Sequence, residues 1–189
     1  MAKLSAGVAS NVNSIAVAAT LLLLLLALTA EAKEGYDSKV EEKTSDLHFY
    51  FHDTVSGKNV TTMQVARASG TNSSPTLFGL AVVLDDIVTK GPEPASQLLG
   101  RMQGLYTLSG LEERAMQMVV TLVFSSGQYN GSTLSLVGIN RIYHPVREIP
   151  IVGGSGLFRL ARGYVLARTH SLVQNGNAVV ECNVTVLHY

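Results

Sequence analysis

The stretch Leu47 to Thr54, Leu-His-Phe-Tyr-Phe-His-Asp-Thr, holds the residue best placed to do chemistry. Side chains alternate faces along a strand, so Leu47, Phe49, Phe51 and Asp53 share one side and His48, Tyr50 and His52 the other. If the first side is the inside of a sheet or barrel, the carboxylate lies in line with three apolar residues and is partly desolvated. Desolvation disfavours the charged form, raises the pKa and makes Asp53 a candidate proton donor. An acid at the end of a strand also meets water or caps a turn, and the residues alone leave both readings open.

Three other patterns could carry chemistry and carry less. Cys182 is the only cysteine; it alternates with Ala178, Val180, Val184 and Val186, the pattern of a small buried hydrophobe rather than a reactive thiol. One cysteine excludes an internal disulfide, a zinc-thiolate cluster and a thiol-protease reading for want of supporting groups. Asp85 and Asp86 precede the Gly91-Pro92 turn, where capping a turn at a strand end is favoured over metal ligation. Val-Gly-Gly-Ser-Gly at 152 to 156 lacks the lysine and following helix of a phosphate loop and reads as a bend in a strand.

The elements that must position Asp53 are almost all strands. Candidates are Leu47 to Thr54, Val60 to Ala68, Leu77 to Leu84, Leu99 to Leu108, Ala115 to Phe124, Ser132 to Asn140, Ile149 to Val152, Gly156 to Thr169 and Ala178 to His188. Most are rich in Val, Ile, Leu, Thr and aromatics and are bounded by Gly, Pro, Asn or Ser. Asn130-Gly131 supplies the positive φ angles of a tight hairpin turn between two of them. No amphipathic helix of ten residues or more is evident; Leu111 to Met118 makes one helical turn at most. Eight or nine antiparallel strands in a single domain must bury one face and avoid open edges, which favours a closed barrel with room for one small ligand. Gly100, Gly104, Gly153, Gly154, Gly156 and Gly163 fall in or beside these strands, where glycine marks bends, bulges or close approach.

The first 32 residues read as an address. Lys3 is the positive end, Ile15 to Leu28 is the apolar run, and Ala30-Glu31-Ala32 offers small residues for cleavage after Ala32. That run is shorter than the ~20 residues needed to span a bilayer, so the mature chain is expected to have no membrane anchor. Residues 33 to 46 are polar without an apolar period and are expected to form a loose tail before a domain from 47 to 189. Fourteen basic residues balance fourteen acidic ones, which leaves no footprint for nucleic acid or an anionic membrane. Sequons begin at Asn59, Asn72, Asn130 and Asn183 and agree with secretion. The first three are expected to carry glycans, while Asn183 falls inside a strand and is least suited.

Six pieces in order carry a family resemblance: Leu-His-Phe-Tyr-Phe-His-Asp at 47, Asp-Asp-Ile-Val-Thr-Lys-Gly-Pro at 85, Leu-Gly-Arg-Met-Gln-Gly-Leu-Tyr at 99, Tyr-Asn-Gly-Ser-Thr-Leu at 129, Arg-Glu-Ile-Pro-Ile-Val-Gly-Gly-Ser-Gly-Leu-Phe-Arg-Leu-Ala-Arg-Gly-Tyr at 147, and the terminal segment from Ala178. The chain resembles the plant dirigent proteins over nearly the whole length that follows the leader. The resemblance implies an eight-stranded antiparallel barrel related to allene oxide cyclase, secreted to the plant apoplast and assembling as a homodimer or homotrimer. It also implies stereochemical control over the coupling of phenoxy radicals from phenols such as coniferyl alcohol. The radicals come from a separate oxidase, a laccase or peroxidase, and no cofactor or metal is expected.

Radical coupling has almost no barrier to lower, so the protein's contribution is orientation, followed by protonation of a quinone methide by a carboxyl group kept neutral. By resemblance Asp53 is the family's acid, Tyr106 its cavity tyrosine, and Arg162, in Ala-Arg-Gly, an arginine that binds a phenolate or carboxylate. Tyr106 also suits an ordinary core position and Arg162 a structural ion pair. Leu157 stands where lignan-forming members resemble one another in carrying a second acid, and Ile87 where many relatives have proline. These departures keep two alternatives open: a lyase or cyclase acting on a quinone methide precursor of the isoflavanol type, and a non-catalytic defence or cell-wall binding protein.

Overall fold

The structure, a computed structural model, describes residues 17–23 and 41–189. Residues 17–23 are helical and fall within the expected leader, the rest of which, with residues 33–40 of the expected tail, lies outside the described residues. No helix among the described residues is long and apolar enough to cross a membrane. The described residues 17–23 belong to one unit and Glu42–Tyr189 forms a second.

Nine strands make up the second unit: Lys43–Asp53 (β1), Thr62–Arg67 (β2), Leu80–Thr89 (β3), Leu98–Leu108 (β4), Ala115–Phe124 (β5), Thr133–Arg141 (β6), Arg147–Ser155 (β7), Arg162–Leu172 (β8) and Ala178–His188 (β9). They pair antiparallel in the order β1-β9-β8-β7-β6-β5-β4-β3, and a second pairing of β1 with β3 closes the ring. The result is the closed antiparallel barrel that the strand pattern favours, with the eight strands that the family resemblance implies. β2 stands outside the ring, paired with β3 alone. One edge of β3 thus serves two partners: Leu80 to Leu84 meet β2, and Ile87 to Val88 to Thr89 meet β1. Asp85 and Asp86 occupy the changeover.

Alternation fills the barrel. Phe49 and Phe51, Val82, Leu84 and Val88, Leu134 and Leu136, Ile149 and Ile151, and Val180, Cys182, Val184 and Val186 are buried, each large side chain contributing about 1.5–3 kcal/mol by leaving water. One end is plugged by aromatic rings. Phe158 lies 5.6 Å from Phe124, 5.0 Å from Tyr129 and 5.1 Å from His188, centroid to centroid. The opposite end has no such plug, and there the inward side chains turn polar.

Gly104 shows why some inward positions carry no side chain. Its φ is +148°, and a Cβ would sit 2.3 Å from the Val119 carbonyl oxygen of the neighbouring strand. Gly163, at φ +156°, is in the same position against Thr185 at 2.1 Å. At both places the sheet coils too tightly for any side chain, as closure of a small barrel demands.

Several boundaries differ from the sequence reading. β1 begins at Lys43, so the expected loose tail loses residues 43–46, which pair with Thr185 to His188 of β9. Thr44 and Asp46 face outward, while Ser45, in the phase of Leu47 and Phe49, hydrogen-bonds His188 Nε2 at 2.9 Å at the end of the barrel, so the four residues gave no apolar period to find. β3 runs through Asp85 and Asp86 rather than stopping before them, and β7 extends from Arg147 to Ser155 around the short apolar core expected at Ile149 to Val152. The Asn130-Gly131 hairpin joins β5 and β6, but φ is −50° at Asn130 and +80° at Gly131. Only the glycine takes a positive φ, as in a type II turn, and the longer connection removes the need for a primed turn.

Candidate functional site

The unplugged end encloses a cavity of about 110 Å³, lined among others by Phe51, Asp53, Leu84, Asp86, Tyr106 and Arg147. It adjoins a wider vestibule of about 540 Å³ that shares Asp53, Tyr106, Met116 and Tyr143 and adds Leu108 and Arg114. The inner space suits about one aromatic ring, and the vestibule has room for the rest of a larger molecule.

Asp53 reaches the cavity because it ends β1 in phase with Phe49 and Phe51. Its Oδ1 is buried without a hydrogen-bond partner, and burial pushes its carboxyl up to about 6. Asp86 follows Val82 and Leu84 on the inward face of β3 and is 1% exposed. The β1–β3 register runs Tyr50 to Thr89, Phe51 to Val88 and His52 to Ile87, so its next step sets Asp53 directly opposite Asp86. Like charges across such a pair repel. Burial first, and then the charge of Asp53, push Asp86 up to about 8, partly offset by a hydrogen bond from Thr61. Thr61 Oγ1 donates to Asp86 Oδ1 at 2.5 Å, and Asp86 Oδ2 is buried with no partner.

Tyr106, 7% exposed, lines the same space. Burial and the two nearby carboxylates raise its phenol above the ordinary value, so it stays a neutral donor. Facing the acids from the lining is Arg147, 5% exposed, in phase with Ile149 and Ile151 on β7. Its Nε donates to Asn140 Oδ1 at 3.1 Å and its Nη1 to Thr169 Oγ1 at 3.0 Å. Among the described residues it has no ion-pair partner, and burial lowers its pKa. A desolvated guanidinium held by neutral groups is a ready receptor for an anionic or strongly accepting oxygen.

Two of the three site residues expected from the sequence, Asp53 and Tyr106, therefore meet in one cavity. Arg162 does not join them: it is exposed on the outer face of β8, paired with Glu42 at 2.6 Å and hydrogen-bonded to Tyr189. Its neighbour Gly163 and the buried Val165 and Ala167 share the inward phase, so Arg162 points the other way. Leu157 is also exposed, in the turn after β7, with its backbone N–H on Ser132 Oγ. An acid at 157 would lie outside this cavity, and the second buried acid is Asp86. Asp86, Arg147, Asn140 and Thr169 were missed although Asp86 and Arg147 show the alternation that singled out Asp53.

Asn59 and Asn130 are exposed in loops, Asn72 is exposed in a single 3-10 turn, and Asn183 faces outward in β9. Cys182 is buried, and burial raises its thiol up to about 12. Among the described residues no group of three or more His, Cys, Asp or Glu side chains could hold a metal.

The fold and the site together are a closed antiparallel barrel whose unplugged end holds a cavity lined by two carboxyls and a buried guanidinium. The family model for Dirigent-like protein matches residues 44–187, and the chain belongs to the dirigent family. It is 43% identical over 175 residues to Dirigent protein 23 of Arabidopsis thaliana, covering 89% of this chain and 94% of that protein. It is 44% identical over 173 residues to Pterocarpan synthase 1 of Glycyrrhiza echinata, covering 88% and 92%. A solved pterocarpan synthase dirigent protein superposes with a TM-score of 0.73 at 47% identity, over 79% of this chain and 90% of that one.

Proposed function

We propose that this protein is a dirigent-family lyase that closes a ring on a phenolic substrate by way of a quinone methide, with loss of water. The observation that carries this reading is the pair of buried, incompletely hydrogen-bonded carboxyl groups facing a cavity that also holds an unpaired guanidinium. Arg147 binds the phenolic oxygen as its anion. A neutral carboxyl of the Asp53–Asp86 pair protonates a hydroxyl on a carbon conjugated with that oxygen, the C–O bond breaks, and water leaves a neutral quinone methide. A second hydroxyl of the same molecule adds to the methide carbon, gives up its proton to a carboxylate, and the ring returns to phenolate. The likeness to pterocarpan synthases makes a hydroxylated isoflavanol the substrate class of choice.

A second reading keeps the coupling of phenoxy radicals from monolignols to optically active lignans, with the protein as guide and a laccase or peroxidase as oxidant. It is favoured by the vestibule, which can seat a second aromatic ring beside the one in the inner cavity. Two incubations separate the readings. Racemic isoflavanol without any oxidant should give a dehydrated product in enantiomeric excess, while coniferyl alcohol with laccase should give only racemic lignan. An unconverted isoflavanol together with an optically active lignan would reverse the choice.

The same reading takes the mature protein to be secreted to the apoplast, with glycans at the exposed Asn59, Asn72 and Asn130. Self-association as a dimer or trimer is supported by an apolar row on the outer wall, where Met63, Val83, Leu105, Val119 and Val137 stand in cross-strand register and are exposed.

A further inference from the structure

The two acids are not equivalent, and their surroundings assign them different work. Asp86 is 1% exposed, behind the closing seam of the barrel. Asp53 is the last residue of β1, only half-buried, and borders the cavity, the vestibule and a groove on the outer wall. Water reaches Asp53 more readily, and a carboxyl with better access to water is the first to ionise. Thr61 adds direction. Its Oγ1 accepts the Thr54 backbone N–H at 3.0 Å, so its own hydrogen is free for Asp86 Oδ1 at 2.5 Å. In a neutral Asp86 that makes Oδ1 the carbonyl oxygen and Oδ2, buried without a partner, the one carrying hydrogen.

We propose that Asp86 is the proton donor of the cavity and Asp53 its ionised partner and base, with Thr61 as the positioning residue that keeps the donated proton on Asp86 Oδ2. This assignment deepens the ring-closure reading and rests on it for what the proton is used for. Asp86 Oδ2–H protonates the departing hydroxyl as its C–O bond breaks, and water leaves. Asp53 takes the proton of the attacking hydroxyl as the new C–O bond forms. The turnover leaves Asp86 ionised and Asp53 neutral, and one proton passed between the facing carboxyls restores both. The groups that set this balance are Asp53 from β1, Tyr106 from β4 and Thr61 from the loop before β2. Asp85 and Arg101 bear on Asp86 from the outer faces of β3 and β4, and Arg147 faces it across the cavity from β7. Burial raises both carboxyls, and the charge of Asp53 raises Asp86 further; which of the two ionises first is set by the geometry that encloses Asp86 and leaves Asp53 at the rim.

Infrared difference spectroscopy on the ligand-free protein decides the placement of the proton without reference to turnover. At pH 7 the wild type should show one buried carboxylic C=O band. That band should vanish in Asp86→Asn and persist in Asp53→Asn, where it should titrate at lower pH because the facing charge is gone. Thr61→Val should move the band to higher frequency. A band lost in Asp53→Asn and kept in Asp86→Asn, or no band in the wild type, overturns the assignment; an unmoved band in Thr61→Val removes Thr61 from it. Turnover tests the use of the proton. A substrate whose leaving hydroxyl is replaced by acetate needs no acid, so Asp86→Asn should recover at least tenfold on it and Asp53→Asn should not. Equal recovery would refute the division of roles, and a wild type inactive on both substrates would refute the ring-closure reading while the infrared result stood.

Discussion

Replacing Asp86 by asparagine should stabilise the barrel in alkaline solution and leave it nearly unchanged in acid. In the unfolded chain this carboxyl ionises at the ordinary 3.8, and in the folded protein it holds its proton to about 8. Between those values the unfolded state releases a proton that the folded state retains, so each pH unit weakens the fold by about 1.4 kcal/mol. Four units set a ceiling of about 6 kcal/mol. The penalty is absent below 3.8, grows as pH rises, and is complete above about 8. Asparagine matches the neutral acid in shape, keeps an oxygen for the Thr61 hydroxyl and carries no charge, so it escapes the penalty. Relaxation of the ionised site reduces the gain to about 3 kcal/mol or more at pH 9, or roughly 6–12 °C in Tm for a domain of this size. Urea unfolding of wild type and variant at pH 4 and pH 9 measures it directly. A stability difference that is the same at both pH values, or a variant less stable at pH 9, would refute the claim that Asp86 is buried as a neutral acid.

Other substitutions test separate parts of the account. Arg147→Met should keep or raise thermal stability, because a buried unpaired charge is costly, while weakening phenol binding by at least tenfold in calorimetry. Arg162→Ala should leave turnover and product handedness within twofold of wild type, since its partners Glu42 and Tyr189 are on the outer wall. Leu157→Asp should likewise leave the product unchanged in chiral chromatography, because the position is exposed and away from the cavity. Gly104→Val should cost more than about 2 kcal/mol in denaturant unfolding, because its Cβ would meet the Val119 carbonyl.

The barrel was legible in the sequence because strand alternation is a local property repeated in nearly every element. Phe49 and Phe51, Leu134 and Leu136, and Val180 to Val186 each declare an inward face without reference to a partner. Asp53 was legible for the same reason, as a polar residue that keeps the phase of its apolar neighbours. Asp86 keeps the phase of Val82 and Leu84 just as strictly, but the adjacent Asp85 and the Gly91-Pro92 turn made the pair look like the polar end of a strand. Only the changeover of β3 from β2 to β1, a pairing between distant segments, shows that the strand continues and that Asp86 comes to face Asp53. Arg147 was hidden because β7 was expected to begin two residues later, which left the arginine in a loop. The expectation for Arg162 rests on resemblance rather than on phase, and its phase, opposite to Val165 and Ala167, directs it outward. The ends of β1 and β7 carry polar residues on their exposed faces, and such ends are fixed by cross-strand partners rather than by any periodicity of their own.

The most direct test of the central claim is the rate of oxidant-free ring closure by a protein lacking both buried acids. Wild type and Asp53→Asn/Asp86→Asn would be incubated with racemic isoflavanol under argon, with folding of the variant confirmed by circular dichroism and product resolved by chiral chromatography. The account predicts enantioselective dehydration by the wild type and only the spontaneous rate for the double variant. A double variant that turned over as fast as wild type, with the same handedness, would contradict it.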